Sequence, residues 1–418
     1  MAIMATDNAY WLGKVPDDWG ISRIGDYYKL RNEKVSDVDF PPLSVTMKGI
    51  VPQLATAAKT DDHDNRKLVR KGDFAINSRS DRRGSCGISD YDGSVSLINT
   101  VLTPRGQMNP RYYNWLFHTE QFADEFYKWG HGIVDDLWTT RWQEMKSILI
   151  VSPPLAEQQA IADYLDDRCS KIDEIIAEAT ASIEEYKKLR QAVIDNAVLH
   201  GVHKNVILKN TGIDWIGKIP ETWEIRKVKY VAEFNPASLY SCDVSLPVGY
   251  VPMTSVKNGY MNPLEMMISE MSSGLTAFQE EDLVMAKVTP CFENGNIAIA
   301  KGLAQNIGFG SSELFVFRTH SINRRFLLYY LQNSGFRNKC ISTMTGVGGL
   351  KRVSAYFVKN AYVTYPSNEE QQEIADFLDV RVGDMDALIS EKQALIDDLQ
   401  AYKKSLIYEV VTGKRRVV

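Results

Sequence analysis

The sequence predicts an α+β chain: two mixed α/β globular domains separated by two long helices that pack as an antiparallel coiled coil, with internal pseudo-twofold symmetry. Three observations predict it. Ala156-Glu157-Gln158-Gln159-Ala160-Ile161-Ala162-Asp163-Tyr164-Leu165-Asp166 returns as Glu369-Glu370-Gln371-Gln372-Glu373-Ile374-Ala375-Asp376-Phe377-Leu378-Asp379, displaced by 213 positions. Trp11-Leu12-Gly13-Lys14-Val15-Pro16, followed by Trp19, returns as Trp215-Ile216-Gly217-Lys218-Ile219-Pro220, followed by Trp223, displaced by 204. A heptad pattern follows each copy of the first phrase. A period above 200 residues is far beyond the ~20–50 residues of solenoid repeats, so each copy is a whole domain with its connector.

In chain order this gives a first domain over 1–154, a helical connector over 155–204, a second domain over 205–366 and a second connector over 367–418. Each domain is rich in turn signals and short β-branched runs. Lys146–Val151 ahead of Ser152-Pro153-Pro154, and Asn360–Tyr365 ahead of Pro366, read as strands that run into a proline stop. The prolines then precede Glu-Gln-Gln, and acidic residues in a first turn favour a helix start. The first connector reads as a helix near 156–167, a break around Asp167-Arg168-Cys169-Ser170, and a longer helix to Leu199. On that helix Ile172, Ile176, Ala179, Ile183, Tyr186, Arg190, Val193 and Ala197 alternate in steps of four and three. Their counterparts Met385, Ile389, Lys392, Ile396, Leu399, Lys403, Leu406 and Val410 are mostly apolar again. A period of 3.5 sustained in both copies is the signature of a coiled-coil seam, and a pseudo-twofold relation makes the pair antiparallel.

The two domains share a skeleton but little identity. Lys71-Gly72-Asp73-Phe74-Ala75-Ile76 echoes Glu281-Asp282-Leu283-Val284-Met285-Ala286. Asn109-Pro110-Arg111-Tyr112-Tyr113 echoes Asn323-Arg324-Arg325-Phe326-Leu327, and Phe122 echoes Phe336. Gly130-His131-Gly132 corresponds loosely to Gly346-Val347-Gly348-Gly349. Near-identical connectors joined to divergent domains describe a fixed frame that presents two different surfaces.

With 44% apolar and 24% charged residues, the 418-residue chain has the composition of a folded globular protein. No uncharged apolar run of about 18 residues is present, and no secretory leader is readable, so a cytoplasmic location is expected. Five cysteines, odd in number and never in a C-x-x-C pair, point to reduced thiols and to no zinc site. The net charge of −5 divides into −4 in each connector, −1 in residues 1–150 and +4 in 205–366, so the acid sits in the helices. Duplication on this scale suits a ligand that is itself roughly twofold, and duplex DNA is the commonest one.

This alternation of divergent domains with near-identical helical regions resembles the specificity (S) subunit of type I restriction-modification systems. The motifs that carry the resemblance are proline followed by E-Q-Q-x-I-A-D-[YF]-L-D at Pro154/Glu157–Asp166 and Pro366/Glu370–Asp379. Asp173, Asp386 and the closing Val410-Val411-Thr412-Gly413-Lys414 extend them, with the W-[LI]-G-K-[VI]-P-x-x-W opening of both halves. Ala197-Val198-Leu199-His200-Gly201 departs from the Thr-Gly-Lys form. The resemblance implies a non-catalytic, sequence-specific DNA-binding subunit whose target-recognition domains each read one half of a bipartite asymmetric site in double-stranded DNA. It implies that the helices set the spacing and dock two methyltransferase subunits, to which two restriction/translocase subunits add. Glu157, Gln158, Glu370 and Gln371 are the docking residues this reading nominates. S-adenosylmethionine, ATP and Mg then belong to the partners, and this chain holds no cofactor.

The residues agree that the chain has no engine of its own. No G-x-x-x-x-G-K-[ST] loop is present, since Gly346-Val347-Gly348-Gly349-Leu350-Lys351 has the wrong spacing. Asn235-Pro236-Ala237 and Ser152-Pro153-Pro154-Leu155 both miss the Asn/Asp-Pro-Pro-aromatic pattern of amino-methyltransferases. No carboxylate pair stands out as an acid–base couple. The alternatives are a single-chain nuclease or methyltransferase with an unrecognised site, and a protein-only scaffold.

Candidate readers sit in loops at matching places. In the first domain they are Lys48 after Thr46-Met47, and Ser78, Arg79, Arg82, Arg83 and Ser85. Arginine forks onto guanine O6 and N7 or clamps phosphate, while serines fix register. In the second domain they are Thr254, Lys257 and Asn258; Lys287, Thr289, Asn294 and Asn296, whose asparagines suit adenine edges; and Lys351 and Arg352 as phosphate ligands. Gly132-Ile133-Val134-Asp135-Asp136 occupies the place of the last pair in the first domain. Trp11, Trp19, Trp215 and Trp223 are expected to pack each domain entry on its connector, His200 and His203 to be solvated, and Lys414-Arg415-Arg416 to be a frayed end.

Overall fold

The computed structural model describes residues 7–56, 63–133, 138–237, 242–347 and 349–417. It divides into two compact units, one made of residues 1–180 with 393–418 and the other of 181–392. The division falls inside two long helices, Leu155–His200 and Asn368–Val411. Each unit is therefore a globular domain with half of each helix.

The two globular parts repeat one plan. In the first, Gly20–Arg23 enters paired antiparallel with the exit strand Leu149–Ser152. In the second, Glu224–Lys227 pairs in the same way with Tyr362–Tyr365. A four-stranded antiparallel sheet follows in each. Its order is Tyr28–Arg31, Asn99–Pro104, Phe74–Asn77, Cys86–Ile88 in the first unit, and Ala232–Phe234, Leu314–Thr319, Leu283–Ala286, Ile297–Ile299 in the second. The third strands, Phe74–Asn77 and Leu283–Ala286, are buried on both faces, which is why both read as continuous apolar runs. Just before each of them a buried aspartate accepts from a turn N–H and binds an arginine on another strand of the sheet: Asp73 with Arg31, Asp282 with Arg318. The flanking sheets differ. The first unit adds a three-stranded sheet and the hairpin Leu43–Thr46/Gly49–Pro52. The second adds a four-stranded sheet in which Val248–Val251 and Ile307–Gly310 run parallel.

Two short helices cover each main sheet. Pro110–Phe117 and Arg324–Leu331 start on Asn109 and Asn323, whose side chains accept main-chain N–H groups of the first turn. Glu120–Lys128 and Ser334–Ser342 follow, capped by Thr119 and Asn333. Beneath the first pair lies an aromatic core of Tyr28, Phe74, Tyr113, Phe117, Phe122 and Phe126.

Within each unit the two helix segments pack on the domain and on each other. In the first unit Ile161, Leu165, Cys169 and Ile172 share a core with Leu406, Ile407, Val410 and Val411. The ion pairs Glu157–Arg416 and Asp173–Lys403 fix opposite directions there. In the second unit the Arg190–Asp386 ion pair and the contact of His203 Nε2 with Glu373 Oε2 at 3.0 Å do the same. Of the expected packing residues, Ile172, Ile183, Ile396 and Leu406 are buried. Ile176, Tyr186, Val193, Met385, Ile389 and Leu399 are half-buried, and most residues between them are exposed. The expected break at 167–170 is absent. Leu155–His200 is one helix, because Cys169 is buried in the core and neither glycine nor proline interrupts the run.

Candidate nucleic-acid interface

The repeated Glu-Gln-Gln phrase is a latch that holds each domain on its helix. Trp19 Nε1 donates to Glu157 Oε2 at 2.8 Å, and Trp223 Nε1 to Glu370 Oε1 at 3.1 Å. The Asn109 N–H donates to Gln158 Oε1 at 2.8 Å, and the Asn323 N–H to Gln371 Oε1 at 2.7 Å. Both glutamines return an N–H to the preceding proline carbonyl, Pro153 or Pro366. Asn109 and Asn323 then donate their side-chain amides to Gln159 and Gln372. One turn on, Arg111 pairs with Asp163 and Asp166, and Arg325 with Asp376 and Asp379. The carboxyls of Asp163 and Asp376 are held below the usual carboxylate range, first by the Gln159 or Gln372 amide and then by the arginine.

Glu157, Gln158, Glu370 and Gln371, nominated above for docking, each hydrogen-bond within their own unit, where the two glutamines are buried and the two glutamates half-buried. Trp19 and Trp223 are structural, as expected. Gly201 and Gly413, both at positive φ just past their helix ends, lie against Trp223 and Trp19, so the departure from Thr-Gly-Lys leaves that turn intact. The basic tail is not frayed: Arg416 pairs with Glu157 and Asp18 and lies over the Trp19 ring.

Of the first-domain reader candidates, Lys48 is exposed at the tip of the 43–52 hairpin, where its N–H donates to Thr46 Oγ1. Arg79 is half-buried, and Arg82 and Arg83 are exposed on the loop before Cys86–Ile88. Arg82 faces Asp81 at 3.7 Å, whereas Arg83 pairs with Asp124 and lies over the Tyr127 ring. Ser78 and Ser85, expected to fix register on DNA, are instead buried, with the Ser78 hydroxyl 2.8 Å from Thr100 Oγ1.

In the second domain Thr254, Lys257 and Asn294 are exposed, and Asn296 is half-buried. Asn258 points inward instead, its Oδ1 buried without a hydrogen-bond partner and its amide near Gly295 and Arg337. Asn258 lines a mixed-charge cleft of about 440 Å³ with Arg190, Lys301, Arg325 and Gln332. Lys287 donates to the Ser312 carbonyl at 2.6 Å and lies over Phe315. The buried Thr289 hydroxyl donates to the Gly349 carbonyl and accepts from the Lys351 N–H, so it shapes the neighbouring hairpin and faces no ligand. Lys351 and Arg352 are exposed on that hairpin, Arg352 forking onto Glu313. In the first domain Val134, Asp135 and Asp136 lie outside the described residues.

Two sets of residues went unassigned in the sequence. Arg111 and Arg325 are the arginines of the latch, and Asp124 and Glu313 are the carboxylates that pair with Arg83 and Arg352. The first set had a signal, since Asn-x-Arg is echoed in both domains and the Asp pair, three residues apart, in both helices. All five cysteines are free thiols. Among the described residues no cluster is placed to hold a metal ion, and no helix is long and apolar enough to cross a membrane.

Residues 220–397 match the family described as the type I restriction modification DNA specificity domain. The chain is 35% identical over 162 residues to the specificity subunit of the type I restriction enzyme EcoAI of Escherichia coli, covering 38% of this chain. It spans 27% of the length of that relative. It is 24% identical over 438 positions to the MjaVIII specificity subunit of Methanocaldococcus jannaschii, covering 97% and 94% of the two chains. Among solved structures it matches a chain of a type I R-M system with a TM-score of 0.70 at 14% identity, over 95% and 98% of the two chains. It matches the HsdS subunit from Thermoanaerobacter tengcongensis with a TM-score of 0.51 at 16% identity, over 96% and 98%. At these identities the structural likeness is one of fold.

Proposed function

We propose, for a chain that belongs to the specificity-subunit family of type I restriction-modification systems, that each globular domain reads one half of a bipartite, asymmetric site in double-stranded DNA. The observation that carries this reading is the duplicated latch. One set of contacts holds two domains whose outward loops share almost no chemistry, which suits a frame that carries two independent readers. Arg79, Arg82 and Arg83, with Lys48, are the readers of the first domain. Thr254, Lys257, Asn294, Asn296, Lys287, Lys351 and Arg352 are those of the second.

The long helices act as the spacer, and the subunit itself performs no chemistry. Adenine-N6 methylation and ATP-driven cleavage belong to methyltransferase and restriction subunits that bind it. Since the latch residues are occupied internally, methyltransferase docking falls to the solvent side of the helices. Phe377, Val380, Leu388, Leu395 and Tyr402 leave an apolar stripe there on the second helix.

The test is the adenine-methylation map of the source genome, with the gene intact, deleted, and with residues 1–154 exchanged for another member's domain. The expected result is a two-part motif that vanishes on deletion and changes in one half only on exchange. Inserting four residues in a long helix adds about 6 Å of rise and should widen the gap between halves by close to two base pairs. A map unchanged by deletion overturns the function, and an unchanged gap overturns the spacer role.

A further inference from the structure

The late hairpin of the second domain is a two-stranded ribbon, Thr345–Val347 with Leu350–Arg352, in which all six residues are exposed. It covers no core, yet it is firmly seated. Thr289 Oγ1 donates to the Gly349 carbonyl and accepts from the Lys351 N–H; the Thr289 N–H donates to the Lys351 carbonyl, and the Val353 N–H to the Lys287 carbonyl. Its end pair is apolar, Val347 at 89% exposure opposite Leu350 at 55%. Lys351 and Arg352 follow along the same strand.

The first domain has the same device in the same place. His131 and Thr139 exchange both main-chain hydrogen bonds, and the Thr140 N–H donates to the Ser78 carbonyl, as that of Val353 does to Lys287. Arg79 bridges Thr139 as Val288 bridges Arg352. Beside His131 stands Ile133, 96% exposed. A lone exposed aliphatic residue means little. A β-branched one at the same place in two domains that otherwise diverge, each beside main-chain hydrogen bonds that seat it in the same way, is a repeated design.

We propose that Val347 and Ile133 each press on the 5-methyl group of a thymine in the major groove of the half-site their own domain reads. The proposal rests on the DNA-reading function above. The major groove admits a two-stranded ribbon, and the thymine methyl is the apolar feature on its floor. Lys351 supplies the charge complement for the flanking phosphates. The side chains are specificity determinants and carry no chemistry.

The experiment uses the full chain with its methyltransferase subunit, titrated with duplexes of the mapped site in which each thymine in turn is replaced by deoxyuridine, which lacks only the methyl. Losing one buried methyl-sized contact weakens binding about fourfold, so the wild type should show one such thymine in each half-site. Val347→Ala should abolish that sensitivity in one half and Ile133→Ala in the other, while Val347→Ile keeps it. Both residues are almost fully exposed, so unchanged melting temperatures are expected. If the natural duplex is not bound specifically at all, the reading function fails before any substitution is made. If it is bound but every thymine tolerates uracil, or Val347→Ala keeps the sensitivity, the proposal is overturned. It is equally overturned if Val347→Ala releases the methyltransferase while discrimination persists, since the ribbon then docks protein.

Discussion

The start of the first long helix and the start of the second clasp their domains through the same glutamate, two glutamines and two aspartates, reaching a tryptophan, an asparagine and an arginine in each case. A few strands away, the loops before Cys86–Ile88 and Ile297–Ile299 agree in position and in almost nothing else. One is three arginines among small polar residues; the other is a lysine, a buried threonine and two asparagines. At the centre of the clasp Gln158 and Gln371 are buried, so changing either leaves a stranded donor or acceptor. The loops end in solvent, where exchange costs the fold little. Constraint and freedom are thus separated within each unit.

The comparison breaks most severely at the helix seam. Ile183 and Ile396 are buried, so Ile183→Asp and Ile396→Asp bury a charge and should each cost about 4 kcal/mol, read as a large loss of melting temperature. Next come the latch glutamines. Gln158→Ala and Gln371→Ala each remove two hydrogen bonds and strand the N–H of Asn109 or Asn323, a loss of about 2–3 kcal/mol. Denaturant unfolding, with hydrogen exchange to assign the unit affected, should give the same loss in both. Unequal losses would mean the two latches only look alike.

The reading faces should behave unequally. Arg82→Ala should relax one base of one half-site at a cost of about 1–3 kcal/mol, whereas Lys351→Ala should weaken all DNA alike and lower the salt slope by about one. Competition binding against single-base variants at two salt concentrations separates these. If both substitutions act alike, fork and point charge are not the distinction that matters.

The smallest effect is in acid. Asp163 and Asp376 have carboxyl pKa values lowered in the fold, so their stabilisation is present above their unfolded pKa and is lost as pH falls through the folded one. Melting temperature should therefore drop below about pH 4, and the drop should be shallower in Arg111→Met or Arg325→Met. An equally steep drop in those variants would place the acid sensitivity elsewhere.

The duplication, both entry tryptophans, the exit strands and the seam from Ile172 to Val410 were legible because each is written as a period or a repeat. Continuity through Asp167-Arg168-Cys169-Ser170 was not. Poor local helix propensity is overridden there by burial of Cys169 in the domain core, which no local pattern records. The latch is visible as a motif, but its role in holding the domain on its helix is not. A polar run at a helix start looks solvated until the Asn109 and Asn323 N–H groups that it serves are placed beside it. The burial of Ser78, Ser85 and Thr289 is hidden for the same reason, since a hydroxyl in a polar loop serves the fold as readily as a ligand. Asn258 turns inward where it bridges Ile297 beside Gly295, a long-range contact that no local pattern records.

Arg83 and Arg352 each rest on a carboxylate of their own domain, Asp124 and Glu313. Where DNA is the ligand, these arginines do not gain a phosphate; they exchange one anion for another. The net attraction for an arbitrary stretch of backbone is reduced by what is given up, while a correctly shaped site recovers it through contacts the carboxylate cannot mimic. A reader built this way lingers less on random sequence. Glu313→Gln should therefore lengthen residence on non-cognate DNA more than on the target, so that a freer cation makes a poorer searcher.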